Sequence, residues 1–174
     1  AVATPLEVAE ERLTRAAPAL RGMLAAPTGD ADQPYRRVIL QPLVTREVLD
    51  FVDSDRGKEV ALTPPLTSDH LIRTKAWPLW VDAPEFSDPV KLRDQLSRAI
   101  QEYGATYAAY FDRHSARLPQ GLARLDSLPR VVLMPGLGAI CAGRDACAAR
   151  IARDITAHTL AVKARVAAMG IYQG

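Results

Sequence analysis

Several things are scarce or missing in this sequence, and each absence closes off a class of protein. Cysteine is one: Cys141 and Cys147 are the only two in 174 residues. That is too few for a disulfide framework and fits free thiols in a reducing compartment. Long apolar runs are another. The longest, Val131 to Ala142, is broken by Pro135, Gly136 and Gly138 and is too short to span a bilayer. The first residues, Ala1-Val2-Ala3-Thr4-Pro5, lack the basic start and apolar stretch of a signal peptide. No excess of one charge exists either. A net charge of +2, with acids and bases interspersed, provides no field for nucleic acid or an anionic membrane. Together these absences predict a soluble, cytoplasmic protein.

What is present is apolar content, 48% of residues, enough for one real core. The expected organisation is a single domain over 1–174, with a leading helix at 1–26 and an α/β body at 35–174. For the leading helix, Thr4 offers a cap, Pro5 fits the first helical position and Glu7 completes a capping box. Leu6, Ala9, Leu13, Ala16, Leu20 and Leu24 recur at helical spacing, and Pro18 should kink or split the helix. Ala26 to Pro34 reads as a polar turn region. Arg37 to Gln41 reads as a short buried strand. Thr45 caps a helix carrying Val48, Leu49, Phe51 and Val52, which Gly57 ends. Glu59 to Leu62 fits a strand or a helical remnant equally. Ser68 to Lys75 reads as a short helical turn opening into an extended segment, followed by a strand at Pro78 to Val81.

Asp88 and Pro89 start a third helix, marked by Leu92, Leu96, Ile100, Tyr103, Tyr107, Tyr110, Phe111 and His114. Gly104 within it costs about 1 kcal/mol relative to Ala unless it admits a close neighbour. A strand at Arg130 to Met134 then leads through a glycine-rich turn into a last helix from Arg144 to Met169. Its inward face is expected to carry Cys147, Ile151, Ile155, Val162, Val166 and Met169. Two strands flanking a long helix imply a right-handed parallel crossover. The fold class expected is α/β, a small and mostly parallel sheet packed by long helices. So short a sheet has an edge that is exposed unless another segment or chain covers it, and a homo-oligomer is expected.

Candidate chemistry concentrates in Ser68-Asp69-His70-Leu71-Ile72-Arg73-Thr74-Lys75. Arg73 offers a planar fork for carboxylate or phosphate, and Lys75 a point charge. His70 can pass protons near neutral pH if Asp69 orients it. An ordinary solvated loop with an internal ion pair accounts for the same residues. Secondary candidates are His114 and the glycine-rich turn at Gly136 and Gly138, where backbone N–H groups could hold an anion. That turn is not GxGxxG, since Cys141 holds the third glycine position. Arg144-Asp145 stands where a P-loop needs Lys-Ser/Thr. His114 and His158 fall on apolar helix faces and read as core or interface histidines. No serine or cysteine sits in a nucleophile setting such as G-x-S-x-G. Trp77, Trp80 and Phe86 fit either a binding wall or core. No metal site is recognisable, since Cys141, Cys147 and a histidine lack a fourth ligand and a ligand spacing.

Four separated stretches carry a resemblance: Ser68 to Lys75, Ala109 to His114, Pro129 to Gly138 and Ala149 to Thr159. In this order they resemble the bifunctional proteins that fuse a class II aldolase/adducin-like part to a short-chain dehydrogenase. Some of these act as rhamnulose-1-phosphate aldolase and lactaldehyde dehydrogenase. The resemblance implies a partial class II aldolase-like three-layer fold, with the remaining aldolase and dehydrogenase parts as partners. Zinc in the aldolase part and NAD in the dehydrogenase part are the family's cofactors. The His-x-His pair, the His-Gly and the Tyr-x-x-x-Lys that would hold them are absent from this sequence. The function implied is therefore a non-catalytic or incomplete aldolase-like domain, with a structural role and an anion or sugar-phosphate contact. The competing reading is a stand-alone lyase acting on a ketose 1-phosphate through His70, Arg73 and Lys75. The Pro135-Gly136-Leu137 turn also parallels the aldolase His-Gly-Leu turn between strand and helix, with Pro135 where a metal-binding His belongs.

Overall fold

Alternating side chains on two short central strands organise the whole molecule. In the computed structural model, which describes residues 2–115 and 125–170, the elements run in chain order from helix α1 (Leu6–Met23) through strands β1 (Ala26–Pro27), β2 (Tyr35–Arg36) and β3 (Ile39–Leu43). Helices α2 (Arg46–Val52), α3 (Gly57–Ala61) and α4 (Ser68–Thr74) precede strand β4 (Leu79–Trp80) and the long helix α5 (Pro89–Ser115). Strands β5 (Val131–Met134) and β6 (Gly138–Gly143) and helix α6 (Ala146–Ala168) follow. The main sheet has the order β3-β6-β5-β4. Val132 and Met134, with Ile140 and Ala142, face α1 and α5, while Val131 and Leu133, with Ala139 and Cys141, face α2, α3 and α6. A period of two on each strand thus builds a three-layer α/β arrangement with a core on each side.

The sheet is mixed rather than mostly parallel. β4 and β5 pair in parallel, as the intervening helix α5 requires, with Leu79 beside Val132. β5 and β6, however, form an antiparallel hairpin with Val132 opposite Ile140, and β3 joins β6 antiparallel with Leu40 opposite Ala142. The cause of the difference is β6, a strand the sequence reading takes as part of a turn into the last helix. Apart from Ile140, the residues of Gly138-Ala139-Ile140-Cys141-Ala142-Gly143 are small, and its glycines and alanines are weak strand formers, yet all six are buried. Small size is what this position demands. A Cβ on Gly143 would lie 2.2 Å from the Ala149 nitrogen, so α6 can approach only a glycine there.

The same close approach corrects the inward face of α6. Buried on it are Ala149, Ala152, Thr156, Leu160 and Lys163. Cys147 is exposed and Met169 is 63% exposed, while the branched residues Ile151, Ile155, Val162 and Val166 sit half-buried on the flanks. His114 and His158 are exposed rather than core residues.

Other elements differ in detail. α1 runs unbroken through Pro18, and its N-cap is Pro5 with no side-chain cap. The expected capping box is replaced by a tertiary bond, in which the Thr4 N–H donates to the Asp53 carboxylate at 2.7 Å. β3 starts two residues later than expected and is only half-buried. The polar region after α1 holds the two-residue antiparallel ladder β1–β2. Thr45 caps α2 as anticipated, accepting from the Val48 N–H, and all four expected apolar residues are buried. Gly57 opens α3 instead of closing α2, which also resolves 59–62 as mainly helical. Asp88 caps α5, taking the Val90 and Lys91 N–H groups. Among the described residues no helix is long and apolar enough to cross a membrane.

Candidate functional site

Helix α4 divides two cavities, and that division decides which candidate residues can meet. Thr67 caps the helix by accepting from the His70 N–H. Lys75 ends it with φ 66 and ψ −178, a backbone region that is nearly glycine-only and costs about 1–3 kcal/mol. The Lys75 side chain holds this conformation from inside. It is 1% exposed, its ammonium donates to the Asp126 backbone carbonyl, and it lies 4.0 Å from the Tyr107 ring centre. It also pairs with the Asp126 carboxylate at 3.6 Å.

On one side of α4 lies a small chamber of about 40 Å³, bounded by His70, Lys75, Trp77, Thr156, Thr159 and Lys163 among others. Trp77 forms its apolar wall, packed edge-on against Tyr110 at 5.3 Å, and Tyr103 donates its hydroxyl to the Trp77 carbonyl at 3.0 Å. The His70 Nδ1 and the Thr159 Oγ1 are 3.4 Å apart. Thr156 donates to the Ala152 carbonyl at 2.7 Å. Lys163 is 3% exposed and donates to the carbonyls of Ala61 at 3.1 Å and Thr63 at 2.8 Å. Burial pushes its amine down to about 8 from the ordinary lysine value.

On the other side of α4 is a wider cleft of about 300 Å³. Arg36, Arg37, Arg73, Arg130 and Arg144 line it against one carboxylate, Asp126. Arg130 grips Asp126 with two bonds of 3.1 and 2.5 Å. Partial burial works against ionisation of Asp126, but the Arg130 hydrogen bonds and charge, with Lys75 behind, hold it below the usual carboxylate range. Arg144 pairs with Asp145 at its own end of the cleft. Among the described residues Arg36, Arg37 and Arg73 have no carboxylate partner.

The stretch Ser68 to Lys75 therefore does not act as one cluster. His70 and Lys75 face the chamber, Arg73 faces the cleft, and Asp69 is exposed and lines neither. The neighbour of the His70 ring is Thr159, not Asp69. His114 is exposed beside the Tyr110 ring, 4.9 Å away, and lines neither cavity. Gly136 does hold an anion through its N–H, but the anion is the protein's own: the Asp53 carboxylate accepts at 2.6 Å. Arg12 closes the other side, donating to the Gly136 carbonyl at 2.9 Å. With φ +79 and Arg12 Nη1 2.3 Å from a built Cβ, the position suits glycine alone. Gly138 is buried against the Leu43 carbonyl, 2.9 Å from its own built Cβ. The turn opens onto β6 rather than a helix, so the parallel with an aldolase strand–turn–helix fails there.

Sequence reasoning missed Lys163, Thr159 and four of the five arginines. One signal was available for Lys163: it falls three residues after Leu160 and seven after Thr156, on a stripe of otherwise small or apolar residues. The arginines come from β2, α4, β5's approach and the loop before α6, and no local pattern joins them. Among the described residues no group of three or more His, Cys, Asp or Glu could hold a metal ion. The described residues therefore form no cluster that fits the zinc of the resembling family.

Residues 11–174 match the family model described as "Aldolase class II, second domain". A stretch of 125 residues is 30% identical to "Uncharacterized oxidoreductase YuxG" of Bacillus subtilis (strain 168), covering 71% of this chain and 18% of that relative's length. No solved structure matches.

Proposed function

The chain belongs to the class II aldolase second-domain family, and from that premise we propose that it is a non-catalytic domain of a longer protein. That protein joins a sugar-phosphate aldolase to a short-chain dehydrogenase, of the kind that handles rhamnulose 1-phosphate and lactaldehyde. This domain gives it a structural layer and a contact for the substrate phosphate. The observation that carries the reading is the arginine cleft. With Asp126 held by Arg130 and Lys75, and Arg144 paired with Asp145, Arg36, Arg37 and Arg73 are left as a surplus of planar donors suited to a phosphate. The oxidoreductase name of the Bacillus relative supports a dehydrogenase elsewhere in such a protein. A stand-alone lyase using His70, Arg73 and Lys75 together is disfavoured, because α4 keeps Arg73 out of the chamber that His70 and Lys75 line.

Calorimetric titration with inorganic phosphate and with a ketose 1-phosphate tests the contact. Arg73→Ala should weaken binding about tenfold or more, as loss of one charge-assisted hydrogen bond implies. A retro-aldol assay of the chain with added zinc should give no turnover. Turnover by the chain alone, or an affinity indifferent to Arg73→Ala, overturns the reading.

A further inference from the structure

The sequence has only four lysines, and they divide into two kinds. Lys58 and Lys91 are exposed in surface pairs with Asp82 and Asp88. Lys75 and Lys163 are buried, and both line the chamber beneath α4. Within it the two have different partners. Lys75 rests on an aromatic face beside a carboxylate. Lys163 meets two backbone carbonyls and no carboxylate among the described residues. Two acceptors satisfy both N–H groups of a neutral amine and leave its lone pair over, whereas an ammonium has three hydrogens to place. A neutral lysine amine desolvated by burial is an activated nucleophile.

From this arrangement we infer that the chamber is a carbonyl-capturing site, in which the Lys163 amine forms an imine with a two- or three-carbon aldehyde. The size of the site sets the ligand class. One water needs roughly 10–15 Å³ of such space, so about 40 Å³ holds about three or four non-hydrogen atoms. The Trp77 wall and Leu160 suit a short alkyl chain. The step balances without a redox partner. The nitrogen lone pair bonds to the carbonyl carbon, the carbonyl oxygen takes a proton, and the nitrogen loses one, giving a carbinolamine. Cleavage of its C–O bond then releases water and leaves the imine. His70 and Thr159, 3.4 Å apart on the same wall, are placed to pass the proton to the departing oxygen. The titratable groups facing the chamber besides Lys163 are His70 and Lys75. Neutrality is favoured by burial, which brings the Lys163 amine to about 8. At pH 8 about half the Lys163 amines are then free base, against under about 1% for an ordinary lysine.

The test is reductive trapping on the intact protein: acetaldehyde or propionaldehyde with cyanoborohydride at pH 8, followed by peptide mass mapping. Lys163 should be alkylated at least about tenfold faster than Lys58 and Lys91, and pyridoxal, too large for the chamber, should not label it. Thr159→Val should slow trapping several-fold while leaving the position of the label unchanged. Lys163→Arg should remove the label; if that variant fails to fold, the wild-type map decides alone. Labelling confined to Lys58, Lys91 or Lys75, or equal labelling of Lys163 by pyridoxal, overturns the inference. Phosphate binding at the arginine cleft is a separate measurement, so either reading can fail without the other.

Discussion

The two faces of the sheet are packed by different means. Against α1 and α5 the core is built from bulk: Leu20, Leu24, Leu96, Ile100, Tyr103, Met134 and Ile140 fill the space with large side chains. Against α6 it is built from proximity, with Gly143 and Ala139 on the strand meeting Ala149 and Ala152 on the helix. Buried polar groups lie on both faces: Lys75 sits over the Tyr107 ring of α5, and two more are on the α6 side. Thr156 and Lys163 are both interior on the α6 side, each with backbone acceptors, and among the described residues no buried side-chain polar atom is left without a partner. On the face made of large groups, the Lys75 ammonium is taken up by the Tyr107 ring and Asp126. A face made of small ones brings backbone carbonyls within reach of a lysine, and the chamber lies there.

The largest effects should expose that contrast directly. Leu96 is fully buried on the bulk face, and Leu96→Ala should cost about 4 kcal/mol, transfer and cavity terms combined. Denaturant midpoints measure it, with an unchanged m-value expected. On the α6 face the opposite change is the damaging one. Gly143→Ala adds a methyl 2.2 Å from the Ala149 nitrogen and 2.7 Å from its Cα. Backbone cannot rotate aside as a side chain does, so about 3 kcal/mol is expected, the upper part of the overpacking range. If Gly143→Ala proves neutral, the close approach of α6 is not what the small residues of β6 are for.

Next in size is the pH dependence of the lysine on the α6 face. Its folded value of about 8 lies below the unfolded value near 10.4. Between the two, the unfolded chain binds more protons, so stability rises with pH there and the burial cost is fully present below pH 8. From about pH 7.5 to 9.5 the gain should be about 2 kcal/mol. Lys163→Met should flatten that rise in urea unfolding series. Higher pH confuses the comparison, because burial raises the Tyr103 hydroxyl and stability falls as unfolded tyrosine ionises first. A wild-type curve already flat over the window would remove the activated amine and much of the reason for the chamber.

How far the sequence revealed this architecture also differs between the faces. On the bulk side, Leu92, Leu96, Ile100, Tyr103 and Tyr107 announce the buried stripe of α5, because large apolar residues at helical spacing have one physical use. The crossover between β4 and β5 follows from the same helix. On the α6 side the signal is inverted. Alanine, glycine, threonine and lysine form the contact, and the branched aliphatics that hydropathy selects lie on the flanks. β6 was hidden for the same reason, and with it the antiparallel half of the sheet. At the site, Ser68 to Lys75 was legible as a dense run of functional groups, but chain order cannot tell that a helix turns His70 and Arg73 toward different cavities. Lys163, about a hundred residues from the carbonyls it meets, is joined to them only by the fold.

The smallest prediction puts the same substitution on the other face. Gly104 sits within α5, and among the described residues a Cβ there would meet only Ser127, 3.6 Å from its Cβ and 3.7 Å from its carbonyl oxygen. Those are ordinary contacts, so nothing needs to move. The glycine then costs helix stability without easing a close approach, since its unfolded chain has more conformations to lose. Gly104→Ala should therefore stabilise the protein by about 0.5–1 kcal/mol, read as a small upward shift in the denaturant midpoint. The sign is what matters beside Gly143→Ala. One methyl group raises stability where helices are spaced by large side chains and lowers it where a helix rests on the strand itself. Two changes of the same sign would mean that glycine content, and not the spacing of the layers, separates the two faces.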